Sequence, residues 1–126
     1  LSYNFNSNRL VLLGHKNNLK KYYQNADLFL NTSYFEGFSN ALIEALNYEV
    51  PVIAADCPGG NSEILKQGKF GQLFETNNPN DLSIKIENFL KNKNLFKKKT
   101  LLGKRSLKRF TVSKNIHEYS KLFENI

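Results

Sequence analysis

The chain reads as an α/β protein: a parallel sheet with helices on both faces. Three observations predict this. Short apolar runs at 10–13, 28–31, 51–55 and 71–75 alternate with longer stretches of helical character. Gly14, Gly37, Pro58-Gly59-Gly60 and Gly68 fall between those segments. With 126 residues, 40% hydrophobic and 13% aromatic, the chain is large enough for one core and too small for a two-domain enzyme. Strand–helix–strand succession builds parallel pairs, and ligands of such sheets sit outside the carboxyl ends of the strands. Gly14, residues 33–40 and residues 56–60 all fall at such ends.

The elements follow in order. Residues 1–9 show no period and read as a loop. A buried strand over 10–13 ends at Gly14, and Asn17 or Asn18 caps a helix reaching Ala26. The next strand spans 28–31, followed by a loop over 32–37 and a helix from Phe38 or Ser39 to Glu49. Pro51 ends that helix and opens a strand to Ala55. Pro58-Gly59-Gly60 makes a turn, and Asn61 or Ser62 starts a helix to Gln67 that Gly68 closes in the left-handed conformation. A strand over 71–75 leads to Asn78-Pro79-Asn80-Asp81, the start of a helix through Leu82, Ile86, Phe89 and Leu90. Helices then occupy most of 93–109 and 113–124.

Charge and cysteine content narrow the class. The net charge of +7 and pI near 9.5 favour an anionic partner or surface. Between Lys91 and Arg109 nine cations meet no acidic residue, with Leu95, Phe96, Leu101, Leu102, Leu107 and Phe110 interleaved. That pattern is an amphipathic helix, either packed on the domain with a solvated basic face or drawn to anionic lipid headgroups. The packed reading is favoured. Cys57 is the single cysteine, so no internal disulfide forms, which fits a reducing compartment. It reads as a small buried filler, and His117 as a surface residue. No apolar run is long enough to cross a bilayer, and no secretory signal opens the sequence. No His, Cys and carboxylate cluster has metal-ligand spacing.

The chemistry concentrates in Glu36-Gly37-Phe38-Ser39-Asn40-Ala41-Leu42-Ile43-Glu44, two carboxylates with seven residues between them. The unpaired N–H groups at a helix start carry partial positive charge and favour a diphosphate. A carboxylate two turns on can accept the hydroxyls of a ribose, and one before the helix can accept those of a sugar. Eight helical residues rise about 12 Å and turn about 800°, leaving the two acids roughly 80° apart. Glu44, flanked by Ala41, Leu42, Ala45 and Leu46, is expected to be partly buried.

Residues 33–45, with Pro51-Val52-Ile53-Ala54, Pro58-Gly59-Gly60, Asn61-Ser62-Glu63-Ile64-Leu65, Gly68 and Gly71-Gln72-Leu73-Phe74, resemble the donor-binding domain of family-four retaining glycosyltransferases. Val11-Leu12-Leu13-Gly14 and residues 23–30 extend the resemblance over roughly 9–92. It implies a GT-B fold and a Rossmann-like C-terminal domain, with residues 1–110 as the nucleotide-sugar-binding part lacking its N-terminal portion and 111–126 as a C-terminal helix. Glu36 is then the catalytic acid beside the reactive sugar carbon, and Glu44 the ribose-binding acid. Gly37, Phe38, Ser39 and Asn40 offer backbone N–H groups to sugar and diphosphate, and Gly14 and His15 contact the nucleobase.

The implied donor is a UDP-sugar, the transferred group a hexosyl or N-acetylhexosaminyl unit, and the acceptor a glycan or lipid-linked oligosaccharide of a bacterial surface. No cofactor or metal is implied. The diphosphate-clamping Arg and Lys, and the acceptor domain, lie upstream in the family. The chain therefore reads as a C-terminal fragment, inactive alone, of a cytoplasmic enzyme with an optional peripheral contact at the inner face of the plasma membrane. Gly59 and Gly60 are assigned to their turn rather than to the ligand, and Glu63 to a helix start. The alternatives are a sugar-nucleotide epimerase of the same fold, or a non-catalytic basic module for membrane or nucleic acid. The carboxylate spacing and Pro-Gly-Gly turn disfavour the first. The lack of aromatic stacking or groove-reading motifs disfavours nucleic acid for the second.

Overall fold

Strand β2, Val52–Ala55, has all four residues buried and sits in the middle of the sheet. In a computed structural model that describes residues 10–124, it pairs in parallel with β1, Phe29–Asn31, and with β3, Gln72–Phe74. The register sets Asn31 beside Ala54 and Ala55 beside Phe74. The expected loop over 1–9, and the last two residues of the C-terminal unit, lie outside the described residues.

Because strand side chains alternate between faces, β2 feeds two cores. Val52 and Ala54 join Tyr23, Leu42, Ala45, Leu46, Ile64, Leu65 and Phe70. On the other face Ile53 and Ala55 pack with Cys57, Phe74, Phe89 and Phe96. The first cluster is covered by α1 (Lys20–Gln24), α2 (Asn40–Asn47) and α3 (Asn61–Ile64), the second by α4 (Pro79–Lys91) and the start of α5 (Lys93–Ser106). Helix α5 serves both faces. Phe96 is buried in the second cluster, whereas Gly103 lies against the first. A Cβ at Gly103 would stand 2.9 Å from the Leu46 side chain and 3.0 Å from that of Phe70, so a larger residue there would have to push these side chains aside. A 3-10 turn, Leu107–Phe110, follows, and then α6, Val112–Glu124. Among the described residues no helix is long and apolar enough to cross a membrane.

Two helices start as the sequence dictates. The Ser39 hydroxyl accepts from the Leu42 N–H at 3.4 Å, and the Asn78 side chain accepts from the Asp81 N–H at 3.0 Å, with Pro79 in the first turn of α4.

Three expectations fail. Residues 10–13 form no strand: Leu10, Val11, Leu12 and Leu13 are 52, 72, 87 and 43% exposed. An extended segment becomes a strand only when another strand satisfies its backbone groups, and within the described sheet β1 is an edge whose one partner is β2. Helix α1 is shorter than expected. Leu19 holds the N-cap position without a side-chain cap, while the Asn18 side chain accepts from the Lys20 N–H at 3.0 Å. Helix α3 stops at Ile64, because Lys66 and Gln67 already have positive φ, so Gly68 ends a left-handed turn rather than the helix itself.

Candidate functional site

The residues from Glu36 to Asn40 lie where the carboxyl ends of β1 and β2 meet the start of α2. Asn31, the last residue of β1, is buried, and its amide N–H group lies 3.3 Å from both Glu36 Oε2 and Ser39 Oγ. The Asn31 side-chain oxygen Oδ1 accepts from the Ser33 N–H at 3.1 Å, and the Ser33 hydroxyl donates to Glu36 Oε2 at 3.0 Å. One carboxylate oxygen of Glu36 thus receives two side-chain donors, which fix its rotamer. Asn31 also ties it to the residue that caps α2.

The backbone of this loop is held from the other side. Glu36 forms a parallel bridge with Gly59: its N–H reaches Pro58 O at 3.4 Å, and the Gly60 N–H reaches Glu36 O at 3.2 Å and Gly37 O at 2.6 Å. A Cβ on Gly59 would fall 1.5 Å from Glu36 O, and one on Gly60 would fall 2.5 Å from Gly37 O. The two glycines therefore do more than make a turn. They let one loop lie directly on the other. Asn61 then pins the segment behind them, donating to Ala55 O at 3.1 Å. Phe38 packs edge-on against Phe110 at 5.0 Å, so the 3-10 turn after α5 supports the loop as well.

Glu44 is exposed, not partly buried as expected. The buried seam of α2 is Leu42, Ala45 and Leu46, and at about 100° per residue position 44 points roughly 150° away from it. Apolar neighbours in sequence are not neighbours on the helix face. Glu44 stands beside Tyr23, whose hydroxyl donates to Ala41 O at 3.3 Å and whose ring stacks on Tyr48 at 5.5 Å. Burial, reinforced by the Glu44 carboxylate, pushes the Tyr23 hydroxyl pKa up to about 12.

Glu36, Gly37, Phe38, Ser39 and Asn40 are thus brought together, with Glu44 farther along the same helix. Gly14 and His15 lie in an exposed stretch, Gly14 with φ +61° and His15 bonded through Nε2 to the Asn17 side chain at 3.0 Å. Among the described residues no hydrogen bond joins them to the Glu36 loop. Asn31 and Ser33 were not expected as site residues. The available signal for Asn31 was an amide closing an otherwise apolar strand beside the first carboxylate. Among the described residues no group of three or more His, Cys, Asp or Glu side chains could hold a metal ion.

Sheet, loop and helix together define a domain of the GT-B type. Over residues 3–109 the chain matches the family of glycosyl transferases group 1, and it belongs to that family. The N-acetylgalactosamine-N,N'-diacetylbacillosaminyl-diphospho-undecaprenol 4-alpha-N-acetylgalactosaminyltransferase of Campylobacter jejuni is 36% identical over 89 residues, or 71% of this chain and 24% of that protein. An uncharacterized glycosyltransferase of Methanocaldococcus jannaschii is 32% identical over 123 residues, or 96% of this chain and 35% of its own length. The chain thus spans about a third or less of these relatives. Among solved structures, Anabaena HepE in complex with UDP superposes with a TM-score of 0.82 at 22% identity, covering 95% of this chain and 33% of that one. TarM gives 0.76 at 25% identity, covering 86% and 22%.

Proposed function

We propose that this chain is the donor-binding part of a retaining glycosyltransferase that moves a hexosyl or N-acetylhexosaminyl group from a UDP-sugar to a glycan or lipid-linked acceptor. The observation that carries the proposal is the Glu36 carboxylate, fixed by Asn31 and Ser33 beside the capped start of α2. The family membership supports sugar transfer, and the UDP in the HepE structure and the lipid-linked acceptor in the name of the Campylobacter relative support this donor and acceptor class.

In this reading the first-turn N–H groups of α2 that the Ser39 cap does not take face the diphosphate, since they have no intrahelical acceptor and sit at the positive end of the helix dipole. Backbone N–H groups of Gly37, Phe38, Ser39 and Asn40 serve the sugar and diphosphate, Glu44 takes the ribose hydroxyls, and Gly14 with His15 borders the base. Glu36 accepts hydroxyls of the donor sugar next to its reactive carbon. As the bond to the diphosphate breaks, negative charge grows on the leaving oxygens and the helix start stabilises it. The acceptor hydroxyl attacks from the face the diphosphate leaves, which retains the anomeric configuration. We assign the charge stabilisation to protein groups without a metal, and transfer that persists in a chelator checks this.

Calorimetric titration with UDP tests the site. In the full-length enzyme Glu44→Gln weakens binding by about 1.5–3 kcal/mol, the value of a hydrogen bond to a charged group. Unchanged UDP affinity in a folded Glu44→Gln protein overturns the ribose assignment.

A further inference from the structure

The nine cations between Lys91 and Arg109 divide into two sets in the folded chain. Some hold α5 and the turn after it in place. Lys99 donates to Gly68 O and Gly71 O at 2.9 and 3.2 Å, Lys104 meets Glu49 at 2.6 Å, and Arg109 donates to Glu63 O and Ile64 O at 3.0 and 2.6 Å. Lys91 lies 3.9 Å from Glu87, and Lys93 stands over the Phe89 ring. The other set, Lys97, Lys98, Arg105 and Lys108, is exposed, and their side chains make no hydrogen bond or ion pair among the described residues.

This second set shares its surface with leucines. Taking buried Phe96 as the inward direction of α5, Lys98, Leu101, Leu102 and Arg105 all lie within about 60° of the outward direction. Leu95, Leu101 and Leu102 are 50, 43 and 45% exposed. Beside them runs a groove of about 550 Å³ between the end of α2 and the end of α5, lined by Leu101, Leu107, Lys104, Arg105, Lys108 and Glu49 among others. Its one carboxylate, Glu49, is matched by Lys104, which leaves Arg105 and Lys108 uncompensated.

We infer that the outer face of α5 and this groove dock on an anionic phospholipid surface. Charge complementarity selects the partner: unpaired cations face outward with no acidic residue between Lys91 and Arg109 to oppose them. The aliphatic side chains between the cations suit the boundary between headgroups and acyl chains, where long basic side chains reach outward to phosphate. A surface for single-stranded nucleic acid would instead be expected to present aromatic side chains for stacking. Here Phe96 points inward into the core and Phe110 is packed on Phe38, so neither ring is offered on this face. The inference does not depend on the nucleotide-sugar reading, because UDP binding and lipid docking use different elements.

Co-flotation with vesicles tests it. The chain binds vesicles containing phosphatidylglycerol, releases as salt rises, and ignores pure phosphatidylcholine. Arg105→Glu with Lys108→Glu weakens vesicle binding about thirtyfold or more, at about 1 kcal/mol for each cation near such a surface. Lys16→Glu with Lys20→Glu, which changes net charge equally at exposed positions outside this face, has a much smaller effect. Equal losses in both pairs, displacement of the chain from vesicles by millimolar inorganic phosphate, or RNA binding without vesicle binding would each overturn the inference. UDP affinity measured on the same variants stays unchanged, so failure here is distinct from failure of the donor site.

Discussion

Gly59→Ala is the sharpest test of how this site is held. Gly59 has φ +123°, a region L side chains rarely adopt, and its Cβ would sit 1.5 Å from Glu36 O and 2.7 Å from Glu36 C. Both obstacles are backbone atoms, so no rotamer change relieves the overlap. The loop carrying Glu36 must move away. Backbone strain contributes about 1–3 kcal/mol. Loss of the bonds from Glu36 N–H to Pro58 O and from Gly60 N–H to Glu36 O adds about 0.5–1.5 kcal/mol each. A total of about 2–6 kcal/mol is expected, a large part of the stability of a small domain. Urea unfolding reads it as a lower midpoint at unchanged slope. Gly37→Ala is the matched control: a Cβ there meets nothing within 4 Å and φ is not positive, so its cost stays within about 0.5 kcal/mol. A Gly59→Ala protein as stable as the Gly37→Ala protein would refute the claim that the two loops touch.

Three further outcomes are expected, the kinetic ones in the full-length enzyme. Glu36→Ala lowers turnover of UDP-sugar while leaving UDP affinity nearly intact, and equal losses for both ligands would contradict the division of labour between Glu36 and Glu44. Asn31→Ala costs about 1–3 kcal/mol in unfolding measurements, since it leaves buried partners unmet; through Glu36 it lowers kcat more than it weakens UDP binding, and a loss confined to UDP affinity would remove its positioning role. Tyr23 titrates near 10 when unfolded and near 12 when folded, so the folded state holds its proton longer. The stability this contributes is full below pH 10 and is lost as pH rises toward 12, and Tyr23→Phe flattens that part of the profile; an unchanged slope would argue against it.

Much of the fold was legible because its determinants are local. Ser39 and Asn78 announce helix starts through their own side chains, and the all-apolar Val52–Ala55 announces a strand buried on both faces. Residues 10–13 are as apolar as a strand needs, yet pairing is a property of the partner and not of the segment. Glu44 is exposed although its sequence neighbours are apolar, because the 100° step turns it away from the seam they form. The roles of Asn31, Gly59 and Gly60 depend on register and on contact between loops far apart in sequence, which periodicity does not encode.

Each strand's carboxyl end contributes a separate hold on the segment that carries Glu36. From β1, Asn31 grips the carboxylate and the helix cap together. The loop after β2 lies against the backbone through Gly59 and Gly60. Beyond β3, the Asn77 side chain accepts from the Tyr34 hydroxyl at 3.3 Å, two residues before Glu36. Glu36 is only half-buried and Gly37 is exposed, so beyond the Phe38–Phe110 contact side-chain packing does little to orient this loop. Orientation comes instead from hydrogen bonds and backbone contact, which leave the surface open to a ligand while fixing where the carboxylate points. A site that needs access and precision together is better served this way than by burial, because every core contact that steadied Glu36 would also cover it.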